Sequence, residues 1–324
     1  MRKMLIVILV LGGCELAVLD AYSQGRERII YDESKQGWIP AEELERPLRG
    51  MVGEAQELMR QGKARAAEKI LKKYIKETTS AEPDRAQAML LYADAAFMRG
   101  EYGQADKRYK QVINDFPNTR EFAISIRREL DIAKTWLGGK KKRVLGILFL
   151  DASDEALDIL SQIEQLAGGY RIAEVSLWTK GEYYFKSGQF ELAEISYRRL
   201  AKDYKSPRYR RIALSRASAS AMASFPGIYF DDTPLLEAGE LYNEYLENFP
   251  NEAKREDVPT ILEQIRVKRA EKEFEVGRFY RHIHKPVAAE YYFRYVMKTW
   301  PDTLWAQQSR TELARMGFSV ESES

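Results

Sequence analysis

Few residues of this 324-residue chain are placed to do covalent chemistry. Its two histidines, His282 and His284, flank Ile283. Side chains two apart at a helix end point to different sides, so the pair reads as part of a turn rather than as two ligands of one metal. Gly138-Gly139-Lys140 lacks the upstream glycine and the trailing Ser/Thr of a phosphate-cradling loop, and no HExxH, CxxC or GxSxG occurs. No catalytic residue, metal site or cofactor is therefore assigned, and the chain reads as non-enzymatic. The single cysteine is different. Met1-Arg2-Lys3 is a short positive region, Met4 to Leu11 an apolar core, and Leu11-Gly12-Gly13 brings small residues up to Cys14. That order suits a leader of residues 1–13 removed ahead of a thiol that then carries lipid.

A cleavable leader ending at Ala21-Tyr22-Ser23 is the alternative. Glu15 and Asp20 would interrupt its apolar segment. Glu15, where an Asp would signal inner-membrane retention in the usual bacterial pattern, gives no such signal. The expectation is a protein held by Cys14 at the periplasmic face of the outer membrane, or, failing lipidation, one soluble in the periplasm. With no second thiol there is no internal disulfide to form. Residues 14–48 read as the lipidated N-terminus and a polar tether. About twenty-five flexible residues span roughly 25–30 Å. Trp38 within it is expected to dock on the first helical hairpin or on a partner.

The elements beyond the tether are set by a signature that recurs along the chain, most plainly as Gly100-Glu-Tyr102-Gly-Gln-Ala105…Tyr109…Pro117 and Gly188-Gln-Phe190-Glu-Leu-Ala193…Tyr197. A small residue falls seven before the glycine (Ala93, Gly181), Ala five after and an aromatic nine after, often with Pro at seventeen. Glycine ends the first helix by accepting positive φ, small residues let two axes approach, the aromatic fills the space between neighbouring hairpins, and proline stops the second helix. This is the tetratricopeptide pattern. Further copies centre on Gly62 (Ala67, Leu71), Asp151 (Ala156, Leu160), Thr233 (Ala238, Tyr242, Pro250) and His284 (Gly277, Ala289, Phe293, Pro301). The prediction is an all-α fold, an α-solenoid superhelix of about six such hairpins over residues 49–318, with a disordered tail at 319–324.

Three steps between copies are long, and each carries an extra piece. REFAISIRRELDIAKTWL is succeeded by Gly138-Gly139, the basic run Lys140-Lys141-Lys142-Arg143 and VLGILFL; Phe225 to Asp232 separates two helices; and a long helix from about Pro259 to Arg281 precedes the last turn. VLGILFL is too short to cross a bilayer and is expected to run as extended chain across neighbouring helices. The basic run reads as a solvated loop, with a phosphate or lipid-headgroup site as its sharper alternative. Overall charge is balanced, 51 basic against 49 acidic residues, so no field recruits nucleic acid.

The lipobox, the tether, the hairpins and the closing stretch FYRHIHKPVAAEYYFRYVMKTWPDTLWA together resemble the BamD-type lipoproteins of the outer-membrane β-barrel assembly machinery, over most of residues 45–316. The long third and fifth hairpins depart from that family's usual pattern. The resemblance implies a scaffold whose partners are a BamA-type barrel assembly protein, met through its periplasmic domains, and unfolded outer-membrane protein segments. The alternative is a periplasmic tetratricopeptide adaptor for the cell-envelope or division machinery. The residues expected to meet a partner lie at the last hairpin: Arg278 and Arg281 for charge, Trp305 and Phe318 for apolar contact.

Overall fold

The computed structural model describes residues 29–32, 37–40, 48–144, 148–204 and 207–319. The leader, Cys14 and the tail beyond Ser319 lie outside them, as does the environment of the Trp38 side chain. The chain divides into two compact units, one up to Ser125 and one from Ile126, and each is taken by itself.

The first unit opens with a two-stranded antiparallel ribbon, β1 (Ile29–Asp32) and β2 (Gly37–Pro40), in which Tyr31 pairs with Trp38. Two helical hairpins come next: α1 (Gly50–Arg60) with α2 (Ala64–Glu77), and α3 (Arg85–Met98) with α4 (Tyr102–Asp115). In α2 the buried residues Ala64, Ala67 and Leu71 recur at three and four, the spacing of one helical face. They close on Val52, Ala55 and Met59 of α1 and on Ala88, Leu91 and Ala95 of α3.

Helix α5 (Arg120–Leu137) carries the chain from the first unit into the second. There the insertion forms a second ribbon, β3 (Lys142–Val144) with β4 (Leu148–Leu150), pairing Lys142 with Leu150. The expected extended run is thus strand-like, but its hydrogen-bond partner is the end of the basic run rather than a row of helices. Leu150 is exposed. Then come α6 (Ser153–Leu166), α7 (Arg171–Lys186), α8 (Phe190–Asp203), α9 (Pro207–Ser224), α10 (Thr233–Asn248), the short α11 (Pro250–Arg255), α12 (Val258–His282), α13 (Pro286–Thr299) and α14 (Leu304–Arg315). Among the described residues, apart from the two ribbons, the fold is all-α, an array of helical hairpins.

Backbone geometry at the turns explains the recurrent slot. Gly62, Gly100, Gly188 and His284 all have positive φ, between 57° and 75°. At each, the residue after the slot donates its N–H five positions back, as in Gln189 to the Tyr184 carbonyl at 2.8 Å and Lys285 to the Tyr280 carbonyl at 2.9 Å. These are Schellman closures, which satisfy the last carbonyls of the first helix. His284 adopts the same left-handed conformation without glycine's freedom.

Thr233 does not occupy such a turn. It is the first residue of α10, and an eight-residue connection, Phe225 to Asp232, stands where a tight turn would be. The helix starts two residues earlier in the frame than elsewhere, with Pro234 in its first turn. Proline stops helices as expected: Phe116, Phe249 and Trp300 cap α4, α10 and α13 just before Pro117, Pro250 and Pro301.

In α7–α8 and α12–α13 the aromatic at nine lies on the small residue of its own first helix. A Cβ built on Gly181 would come within 2.6 Å of the Tyr197 ring, and one on Gly277 within 2.8 Å of the Phe293 ring. Tyr197 is also part of the core that α9 joins through Ala213, Leu214 and Ala217. Of Tyr183, Tyr184 and Phe185, the last two are partly buried against that core, and Tyr183 lies against the Tyr184 ring.

Candidate protein-binding surface

The last hairpin, α12 with α13, is held by a core of its own. Ala270 and Phe274 of α12, Ala289, Phe293, Val296 and Trp300 of α13 and its cap, and Leu313 of α14 are all buried. Along α13 the buried set falls at 289, 293 and 296, one helical face. The opposite face carries Val287, Tyr291 and Tyr295 at successive i,i+4 positions, with relative exposures of 76%, 65% and 37%. A helix normally puts polar residues there. Ile283 at the turn and Phe279 on α12 are also exposed.

These side chains form a continuous ring system rather than isolated contacts. Tyr291 stacks on Tyr295 with centroids 6.4 Å apart, Tyr291 meets Tyr292 edge-on at 5.3 Å, Tyr292 stacks on Tyr280 at 5.4 Å, and Phe279 meets Tyr280 edge-on at 5.6 Å. Such geometry holds the rings in fixed orientation, so a partner meets a preformed surface and loses little side-chain entropy in ordering it. Rigid aromatic anchors of this kind carry most of the energy in protein interfaces.

The residues expected to meet a partner sit around this hairpin in different roles. Arg278 is half-exposed and pairs with Glu275, one turn earlier on its own helix, at 2.9 Å. Arg281 is tied to Glu312 of α14, which also takes Arg315 at 3.0 Å. Trp305 lies against Phe274, centroids 5.3 Å apart, and is partly buried in the hairpin's core. Phe318 packs against the same core after the chain turns at Gly317. Arg278 thus faces solvent, whereas Arg281 ties α12 to α14 and Trp305 and Phe318 pack into the hairpin's core. None of the residues named from the sequence belongs to the stripe itself. The signal that finds it is spacing: 287, 291 and 295 run out of phase with 289, 293 and 296.

Charge on the hairpin is tuned by local pairs. Arg266 of α12 reaches Asp302 and Glu263, each at 2.7 Å, and its guanidinium holds both carboxyls below their ordinary range. Burial pushes the Tyr292 hydroxyl up, as does the neighbouring Tyr280.

Elsewhere in the second unit, a cleft of about 540 Å³ runs between α8 and α10 over α9, with Arg198, Lys202 and Arg210 facing Glu240 and Glu244. Tyr229 and Phe230, the exposed tip of the connection before α10, are 79% and 61% accessible. Among the described residues no helix is long and apolar enough to cross a membrane.

Comparison with known proteins gives two family matches. Residues 58–126 match a tetratricopeptide repeat model, and residues 182–317 match the YfiO model, described as an outer membrane lipoprotein. No curated protein matches the sequence. Similar solved structures include the C-terminal part of a tetratricopeptide-containing protein from Cytophaga hutchinsonii, at 13% identity over 80% of this chain and 86% of that one with a TM-score of 0.38. A tetratricopeptide repeat protein from Parabacteroides merdae matches at 12% identity over 80% and 95% with a TM-score of 0.34, and PilW, a type IV pilus biogenesis factor, at 17% over 80% and 96% with 0.29. The chain therefore carries tetratricopeptide repeats, and over residues 182–317 it is similar to the outer membrane lipoproteins of the YfiO family.

Proposed function

We propose that this chain is a lipid-anchored, non-enzymatic scaffold of the outer-membrane β-barrel assembly machinery, held through Cys14 at the periplasmic face of the outer membrane. The observation that carries the reading is a coincidence of place. The stretch similar to outer membrane lipoproteins, residues 182–317, ends in the hairpin whose solvent side is a preformed aromatic face. A BamA-type assembly protein docks on that face through a folded periplasmic domain. Val287, Tyr291 and Tyr295 supply the apolar contact, Arg278 the charge at its edge, and Arg281, Trp305 and Phe318 the bracing. Extended segments of unfolded outer-membrane proteins use the cleft over α9, where both signs of charge border Leu214 and Leu241.

The test is affinity purification of the tagged full-length chain from native membranes, beside a Val287→Asp, Tyr291→Asp variant with an unchanged helical circular dichroism spectrum. The assembly protein should be recovered with the parent and lost at least tenfold with the variant, the effect of removing one or two interface anchors worth about 2 kcal/mol or more. Equal recovery overturns the docking face. Labelling with a palmitate analogue tests the anchor: label surviving Cys14→Ser, or a mature N-terminus at Gln24, rules it out.

A further inference from the structure

Charge on helix α2 of the first unit is one-sided. Arg65, Lys69, Lys72, Lys73 and Lys76 are all exposed. At about 100° per residue they fall within an arc of about 100°, on the side away from Ala64, Ala67 and Leu71, over roughly 16 Å of helix. Between Arg65 and Lys76 the one acid is Glu68, which is taken by Arg99 and, at 2.6 Å, by Arg108. Among the described residues no carboxylate pairs with any of the five cations.

The second helices of other hairpins are built differently. Lys110 pairs with Asp106 in α4, Arg198 with Glu194 in α8 and Arg294 with Glu290 in α13, each one turn apart. In α2 the neighbours at four are like charges, Arg65 with Lys69, Lys69 with Lys73 and Lys72 with Lys76, and such pairs repel. Folding gains nothing from that arrangement, whereas an anionic surface laid against it would be attracted along the whole row.

The chemistry of the row selects the kind of surface. Protein interfaces are depleted in lysine and centre on apolar anchors. Among the described residues, none of the large apolar side chains that stand exposed belongs to α2. The helix's apolar face is enclosed with α1 and α3, so it has nothing to insert into a bilayer. What remains is a row of flexible cations on a convex helix face, which suits the headgroup plane of an anionic bilayer, where attraction needs charge and no shaped pocket.

We infer that the outer face of α2 rests on anionic phospholipid headgroups and holds the first unit against the membrane. The consequence for the scaffold rests on the anchoring at Cys14 proposed above; the headgroup contact does not. A polybasic patch added to an acyl chain makes a stable anchor, and it also fixes which side of the unit faces the bilayer.

The experiment uses the full chain with Cys14→Ser, so that no acyl group contributes and the labelling result at Cys14 is read separately. Partition onto vesicles of phosphatidylcholine alone, or of phosphatidylcholine with phosphatidylglycerol, is measured by flotation. Any contribution from the apolar residues 4–11 is common to every variant. Two variants with unchanged helical circular dichroism are compared: Lys69→Gln, Lys72→Gln, Lys73→Gln, Lys76→Gln on α2, and Lys141→Gln, Lys202→Gln, Lys285→Gln, Lys298→Gln at exposed positions elsewhere. Glutamine is as good a helix former as lysine, so α2 is retained. At low salt the α2 variant should bind the anionic vesicles at least about tenfold more weakly than the parent, and the second variant within about twofold of it. The difference should vanish in about 1 M salt, where the screening length falls to about 3 Å. Equal loss in both variants overturns the inference, because net charge alone would then drive binding. Equal partition of the parent and the α2 variant overturns it as well, and leaves the row of lysines to an acidic protein segment.

Discussion

Hairpins α7–α8 and α12–α13 share one plan and differ in what they do with it. Each has glycine seven before the turn, with the aromatic of the second helix lying on it: Tyr197 on Gly181, Phe293 on Gly277. The next residue of the first helix separates them. It is Glu182 in one, which accepts a hydrogen bond from the Tyr197 hydroxyl at 2.6 Å, and Arg278 in the other, where the ring is phenylalanine and needs no acceptor. In the first unit Asp94 and Tyr109 repeat the acid–tyrosine pair at the same two positions, 2.5 Å apart. In these two tight-turn hairpins the tyrosine hydroxyl has an acid to satisfy it; where the ring is Phe293 the position is released, and Arg278 turns to solvent. The internal slots therefore fix the geometry of a repeat, and the positions around them are free to serve either packing or recognition.

The largest expected effects come from the shared part. Tyr197→Ala and Phe293→Ala each remove a fully buried ring and should cost about 3–5 kcal/mol in denaturant unfolding. A loss below about 1 kcal/mol for either would mean that the ring–glycine contact does not organise that hairpin. Next come the glycines. Gly181→Ala and Gly277→Ala place a methyl group against a ring that has no room to retreat, with a cost of about 1–3 kcal/mol. Ala193→Leu, on the facing side of the same contact, should cost a similar ~1–3 kcal/mol.

That shared part is legible in the sequence because it depends on local spacing. Glycine, alanine and the aromatic fall at fixed separations, and four of the six slots are positive-φ turns. Asp151 and Thr233 are the two exceptions: at Asp151 the slot follows strand β4 instead of a first helix, and at Thr233 Ala238, Tyr242 and Pro250 keep the frame of the second helix while the turn itself has been replaced by a longer connection, which a frame anchored downstream does not detect. Neither ribbon is legible as a pair, since pairing depends on a partner strand that short polar and apolar runs do not announce. The site is legible only as a location. The sequence places Arg278, Arg281, Trp305 and Phe318 at the last hairpin, but Arg281 meets Glu312, 31 positions away, and Phe318 folds back onto the core, contacts that no periodicity encodes.

A sharper test exchanges the part that differs. Tyr197→Phe should cost about 1 kcal/mol, the worth of one hydrogen bond. Phe293→Tyr should cost about 1–3 kcal/mol by burying a hydroxyl with no acceptor, and Arg278→Glu in the same chain should recover most of it. Without such coupling in the double-mutant cycle, the acid at this position is incidental to the tyrosine.

The smallest effect concerns an ion pair that both hairpins carry. Glu194 pairs with Arg198 in α8, and Glu290 with Arg294 in α13 at the corresponding positions. In α8 the acid is buried. In α13 its side chain is 25% exposed. Burial pushes the Glu194 carboxyl above its ordinary range; Arg198 opposes the shift, and Glu237 of α10 adds to it. A carboxyl whose pKa is raised on folding favours the native state while it is protonated in both states. That contribution is complete below the unfolded value, about 4.3, and is lost as pH rises through the folded one. Once the pH is above the folded value, the ionised Glu194 therefore weighs against folding. Glu194→Gln removes the titration while leaving Arg198, itself 44% exposed, in contact with water. The variant should unfold at higher urea than the parent at neutral pH, with the advantage shrinking as the pH falls into the acid range. Glu290→Gln, which gives up a surface pair, should lose no more than about 0.5 kcal/mol at neutral pH. If Glu194→Gln were destabilising at neutral pH and the loss did not depend on pH, its carboxylate would be held by Arg198 more strongly than burial penalises it.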